Sequence, residues 1–169
     1  MTPQAAVGTG LGGLAAAGAG GTAVAYAAGA FSETTYKDFE DYVNKKGLIY
    51  IEEVEDTKSN SIKKLLDEDH NNSNGYREKL KGKWDSLPSS FSDGSATKTK
   101  PTGVTSPNSF AASSAALEKS SEISDFTKAW CKVTKKKTDK DGKAWTEATL
   151  KANSDWQIFS EVCVIPKSS

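Results

Sequence analysis

The stretch Tyr36-Lys37-Asp38-Phe39-Glu40-Asp41-Tyr42-Val43-Asn44-Lys45-Lys46-Gly47-Leu48-Ile49-Tyr50-Ile51 (residues 36–51) changes its apolar period midway. Tyr36, Phe39, Tyr42 and Val43 recur at three- and four-residue spacing, which lines one face of a helix. Ser32 and Thr34–Thr35 stand where that helix would open, with Thr35 and Asp38 at capping-box spacing. Lys45 and Lys46 suit its last turn and Gly47 its stop. Leu48 to Ile51 is then a short run of β-branched and aromatic residues, which predicts a strand near 48–54. One helix and one short strand over this length predict a mainly α body with at most one short strand, with an α+β body as the alternative.

The residues downstream extend the helical expectation. Ile62, Leu65 and Leu66 mark a second helix, closed by the turn residues Asn71 to Gly75. Tyr76, Leu80, Trp84 and Leu87 line one side of a third, so residues 33–87 are expected to form a helical subdomain. Residues 88–108 are Ser, Thr, Gly, Lys and Pro with little apolar content, and read as a linker. In residues 109–169, Phe110, Leu117, Ile123, Phe126 and Trp130 suit a long helix, and Trp145, Leu150, Trp156, Phe159 and Val162 suit one or two closing helices. The aromatic residues are read throughout as core filling.

Upstream the chain is of another kind. No charged side chain occurs between Thr2 and Ser32. About 20 apolar residues span a hydrocarbon core, so residues 5–31 are long enough for a transmembrane anchor. Ala and Gly dominate the stretch, and Leu occurs only at Leu11 and Leu14. Gly8, Gly12, Ala16 and Gly20 fall on one helix face, where small residues let two helices approach closely and self-associate. Ala25-Tyr26-Ala27 and Ala28-Gly29-Ala30 offer small-x-small cleavage sites, so residues 1–32 are an anchor or a signal-like segment. No Lys or Arg precedes the apolar run, as a signal peptide would require. Gly8, Gly10 and Gly13 spell a dinucleotide fingerprint, but Thr2 to Val7 cannot supply the strand it needs.

With 169 residues the chain has room for one modest domain or two very small ones. Leu, Ile, Val and Phe are scarce, so small cores are expected, enlarged by the four tryptophans and five tyrosines. The 22 basic and 22 acidic residues cancel, which removes any global steering toward nucleic acid. Only Arg77 is an arginine, so bidentate phosphate recognition is scarce and a nucleic-acid partner is not expected. The charges are unevenly placed: residues 33–69 are net acidic and residues 70–169 net basic.

The uncharged Ala/Gly-rich start, the helix running into Lys46-Gly47-Leu48-Ile49-Tyr50-Ile51, Trp84 in a lysine-rich helix and Trp130-Cys131 late in the chain form a recognisable layout. It resembles the large uncharacterised paralogous families of haemotropic mycoplasmas. The likeness covers the overall layout, with an unusually Gly-rich anchor as its one departure. It implies a membrane-anchored, antigen-like protein with a surface-exposed body, and it carries over no catalytic or binding residues.

Two cysteines, Cys131 and Cys163, permit one disulfide. Closing a loop of that size would stabilise the fold by roughly 3–4 kcal/mol in the chain-entropy view; the alternative is two thiols buried beside Trp130, Val133, Val162 and Val164. Two cysteines and one distant histidine make a poor metal set, and no metal or cofactor is expected. His70, the single histidine, follows three acids beside an Asn-rich turn and is read as a solvated surface residue rather than part of a catalytic relay. Glu52, Glu53, Glu55 and Asp56 are read as a solvated acidic face. Asp139-Lys140-Asp141-Gly142 fails as a calcium loop because Lys137 and Ala148 fall where acids are needed. Asn71-Asn72-Ser73 matches a glycosylation sequon that matters only in a eukaryotic secretory route. Lys132, Lys135, Lys136, Lys137, Lys140 and Lys143 form the one dense basic patch, a candidate site for phosphate, glycan or lipid headgroups.

Taken together, these residues predict a membrane-anchored protein, not an enzyme, with its body outside the cell and serving interaction or antigenic display. A secreted form is the alternative location. An anion-binding module using the 132–143 lysines, for glycan or nucleic acid, is the alternative function.

Overall fold

The computed structural model describes residues 33–69, 74–106, 108–110 and 117–167. The anchor and cleavage sites expected within residues 1–32, the sequon and His70 lie outside these residues. Residues 35–169 form one contact unit, and its architecture is mixed α+β, which corrects the mainly α expectation.

The correction begins in the deciding stretch. The first helix among the described residues, α1 (Phe39–Lys45), starts later than expected because Asp38, not Thr35, caps it. The Asp38 carboxylate accepts the Asp41 amide at 2.9 Å. Thr35–Tyr36 is therefore free to form β1, which pairs antiparallel with β5 (Trp145–Thr146). Gly47, at φ +64°, ends the helix as expected. Ile49–Tyr50 forms β2, antiparallel to β6 (Val164–Ile165) with Tyr50 opposite Val164. Two-residue strands have no room for the alternation that marks a strand in sequence, and their partners lie more than a hundred positions away. The strands β1, β5 and β6 were invisible for that reason, whereas β2 falls within the strand expected near 48–54.

Between β2 and β5 run α2 (Ile62–Asp67), α3 (Tyr76–Trp84) and α4 (Ser120–Thr134). Residues 88–108, expected as a linker, carry a hairpin of β3 (Ser90–Ser92) and β4 (Thr97–Thr99) and lead into a 3-10 turn at Asn108–Phe110. Asp93 closes the hairpin by accepting the Ser95 and Ala96 amides at 2.9 and 2.8 Å. Between β5 and β6 lie α5 (Glu147–Ala152) and α6 (Ser154–Val162), capped by Thr146 and Asn153 respectively.

The helix α4 supplies the longest buried stripe. Ile123, Phe126, Thr127, Trp130, Cys131 and Thr134 are all buried at three- and four-residue spacing. Around it the aromatic residues fill the core as expected. Phe39 packs on Trp145, Trp156 and Phe159 with ring centroids 5.1–5.6 Å apart, and Trp84 packs on Phe110 and Phe126 at 5.2 and 5.7 Å. Phe91, from the hairpin, closes on Phe126 at 5.4 Å. Tyr76 donates its buried hydroxyl to the Val162 carbonyl at 2.6 Å, tying α3 to α6.

Candidate functional site

Cys131 and Cys163 form the disulfide, with Cα atoms 5.7 Å apart and both residues shut from solvent. It joins the last turn of the core helix α4 to the chain as it leaves α6. The Cys163 carbonyl in turn accepts the Ile51 amide at 3.0 Å, so the cross-link also holds the end of β2 in place. Val133, expected beside the cysteines only in the alternative of two free thiols, is 40% exposed.

Four residues downstream, at the end of α4, Lys135 meets the acidic first part of the body. Its ammonium lies 2.6 Å from Glu53, 3.5 Å from Glu40 and 3.8 Å from Glu52, and 4.7 Å from the centre of the Tyr50 ring. The Lys135 side chain is only 9% exposed and that of Glu52 only 10%. Glu52 thus departs from the solvated acidic face expected of residues 52–56. Its Oε2 and the Tyr50 hydroxyl are buried without a well-formed hydrogen bond among the described residues. They lie close enough to perturb each other's ionisation all the same. Burial, and secondarily the charge of Glu53, pushes the Glu52 carboxyl above the usual carboxylate range, although Lys135 opposes the shift. Burial with the Glu52 charge drives the Tyr50 phenol far above its ordinary value. For Lys135 burial pulls downward, but the hydrogen bond to Glu53 and the three carboxylate charges outweigh it and leave the ammonium held more firmly than usual. A lysine so enclosed by carboxylates of its own chain serves as a structural counter-ion.

The rest of the lysine patch divides. Lys136 pairs with Glu40, whose carboxyl is held below its usual range chiefly by that hydrogen bond, and Lys137 pairs with Asp155. The Lys137 carbonyl accepts the Trp145 indole at 2.9 Å. Lys132, Lys140 and Lys143 make no ion pair among the described residues. Proximity in sequence produced the appearance of one basic patch, but half of it is spent on the acids of residues 40–53 and on Asp155.

A second convergence had only one trace in the sequence. Glu147 accepts from Lys151 at 2.6 Å, Lys46 at 2.8 Å and the Tyr42 hydroxyl at 3.2 Å, with the Tyr36 hydroxyl at 3.5 Å. The hydrogen bonds from Lys151 and Lys46 lead the causes that pull its carboxyl down to about 2. The four-residue spacing of Glu147 and Lys151 was readable; the other three partners arrive through β1·β5 pairing and α1.

Among the described residues, open grooves on the surface include two of note. One, of about 320 Å³, runs between β4 and α4 and is lined by Thr97, Lys98, Thr99, Pro101, Glu122, Asp125 and Phe126. The other, of about 460 Å³, lies beside Trp145. Its Asp139 and Asn153 side chains already accept local backbone amides, at Lys140 and at Asp155 and Trp156. Among the described residues no cluster of three or more His, Cys, Asp or Glu is placed to hold a metal ion. No helix among them is long and apolar enough to cross a membrane. Comparison with protein-family models, curated proteins and solved structures finds no match.

Proposed function

We propose that the chain is an extracytoplasmic protein, held at a membrane by residues 5–31, whose disulfide-locked body serves interaction or display. The Cys131–Cys163 bond carries this reading. Disulfides form and persist in oxidising surroundings and are rare where thiols are kept reduced. The cross-link is fully buried in a body poor in aliphatic side chains, where its stabilisation counts most. The uncharged run before Ser32 and the layout shared with the haemotropic mycoplasma families support the anchor and the surface location.

The test has two arms. Alkaline carbonate extraction of cells should leave the intact chain in the membrane pellet, and protease added to intact cells should digest the body. Recovery of the uncleaved chain in the aqueous fraction removes the anchor. Protection from protease together with two thiols alkylatable in freshly denatured, unreduced material removes the extracytoplasmic location.

Anion binding finds less support. Three of its six lysines, Lys135, Lys136 and Lys137, are held in ion pairs with carboxylates of the same chain.

A further inference from the structure

The hairpin β3–β4 leaves the β4 edge bare beside a groove, and the chemistry there selects an occupant. The Asp93 amide donates to the Ala96 carbonyl at 3.1 Å and the Lys100 amide to the Ser89 carbonyl at 2.9 Å. With Phe91 opposite Lys98, the hydrogen-bonded positions of the outer strand are 96, 98 and 100. Antiparallel pairs alternate, so the backbone groups of Thr97 and Thr99 point away from β3. Neither makes a backbone hydrogen bond elsewhere among the described residues. This edge borders the groove of about 320 Å³ whose far wall is α4. Buried Phe126 forms its floor, and Glu122 and Asp125, both exposed and one helical turn apart, form its rim. Neither acid has an ion-pair partner among the described residues, whereas Lys98, the groove's one cation, is 3.4 Å from Asp93.

We infer that the β4 edge and the α4 rim form a docking groove for an extended, lysine- or arginine-bearing peptide. The peptide adds as a strand beside Thr97–Thr99 and sets a basic side chain against Glu122 and Asp125. Main-chain hydrogen bonds supply the attachment and the acidic rim supplies the preference. A second copy of the chain fits less well. Antiparallel pairing of two β4 edges centres Lys98 on its own equivalent, and like charges directly opposite destabilise such a pair. The inference concerns the body alone and stands independently of where the chain resides.

The test uses the full chain and two fluorescein-labelled heptapeptides, Thr-Lys-Val-Lys-Thr-Lys-Val and its Glu-for-Lys counterpart, followed by fluorescence anisotropy at low salt. The lysine peptide should bind at least tenfold more tightly than the glutamate peptide. The double variant E122K/D125K should reverse that order. T99P removes an outward N–H and leaves the hairpin's own bonds intact, so it should weaken the lysine peptide tenfold while the circular dichroism melt stays within a few degrees. If T99P unfolds the hairpin, peptides N-methylated at alternate residues replace it, and one of the two methylation phases should abolish binding. Equal affinity for both peptides, no saturable binding up to millimolar peptide, or insensitivity to both T99P and N-methylation would overturn the proposal. So would a T99P-sensitive dimer that excludes the peptide, which would assign the edge to a second copy.

Discussion

Glu40 and Lys135 are joined twice: the Glu40 amide donates to the Lys135 carbonyl at 3.0 Å, and their side-chain charges stand 3.5 Å apart. The backbone bond ties the start of α1 to the end of α4, and the ion pair draws Lys135 into the space between α1 and the segment after β2. The acidic and basic parts of the chain therefore meet at a defined point rather than as diffuse fields.

Removing the ammonium should be costly. K135M leaves Glu52 nine-tenths buried beside Glu53 without its ion-pair partner, and Lys136 remains only on Glu40. Breaking a buried pair from one side typically costs about 3 kcal/mol or more. Urea denaturation should show that loss for K135M, and K135M/E52Q should recover a large part of it. A loss below about 0.5 kcal/mol, the level of an ordinary surface substitution, would show that the cluster is not coupled to folding.

How much of this was legible depends on the range of the interaction. Gly47 as a stop, the helical spacing of Ile62, Leu65 and Leu66 and the stripe from Ile123 to Trp130 are local patterns, and each falls in or beside the element it predicts. Thr35–Tyr36 and Val164–Ile165 are strands only because Trp145–Thr146 and Ile49–Tyr50 lie beside them, so no local pattern announces them. The burial of Glu52 has the same origin. Four neighbouring acids look solvated until Tyr50 and Lys135, 85 positions apart, close over one of them. The bond between Cys131 and Cys163 was readable as a possibility because only one pairing exists. Its place in the core was not, because that depends on how α4 meets α6.

Acidification should act in two opposite directions. The folded-state pKa of Glu52 is raised, so its contribution favours the fold below the unfolded value of 4.5 and fades as pH rises through the folded value. Glu147, lowered to about 2, and Glu40 and Asp41, also lowered, contribute above their unfolded values and lose that contribution as pH falls toward 2. Stability should therefore rise modestly from pH 7 toward 5 and fall steeply below pH 4. E52Q, which imitates the protonated acid, should be more stable than the parent at pH 7 and lack the rise. A parallel profile for the two proteins would remove Glu52 as its source.

The disulfide should resist reductant until the fold opens, because both cysteines are fully buried. Native protein in millimolar dithiothreitol should label with neither maleimide nor iodoacetamide, and denatured, reduced protein should label twice. Once reduced, or as C131S/C163S, the body should lose about 3–4 kcal/mol by the loop-closure relation. Rapid labelling of the native protein, or an unchanged denaturation midpoint, would contradict its core position.

Lys100 closes the end of α3 from the hairpin, donating to the Trp84 and Leu87 carbonyls at 2.5 and 2.8 Å with its ammonium 5.2 Å from the centre of the Trp84 ring. Partial burial lowers its pKa, with Asp85 opposing. K100M keeps the stem and removes the donors, leaving two carbonyls unmet at a helix terminus where a cation is favoured. A loss of about 1–2 kcal/mol is expected, with the amides of residues 90–99 exchanging faster by hydrogen exchange. A change in stability without faster exchange in the hairpin would mean that Lys100 caps α3 but does not anchor β3–β4.

The lysine patch offers a contrast between residues a few positions apart. Lys135, Lys136 and Lys137 each face a carboxylate of the body, and Lys132, Lys140 and Lys143 face none among the described residues. Reversing the first trio to Glu sets like charges against Glu53, Glu40 and Asp155, so the body should lose more than about 3 kcal/mol, most of it through buried Lys135. Reversing the second trio should change stability by less than about 0.5 kcal/mol. Any loss of heparin retention in the first variant would therefore follow unfolding, and only the second variant reports on anion binding by the folded body. If both trios prove equally harmless to the melt, the ion pairs at the end of α4 do not support the fold, and the cluster around Glu52 must be held together by packing alone.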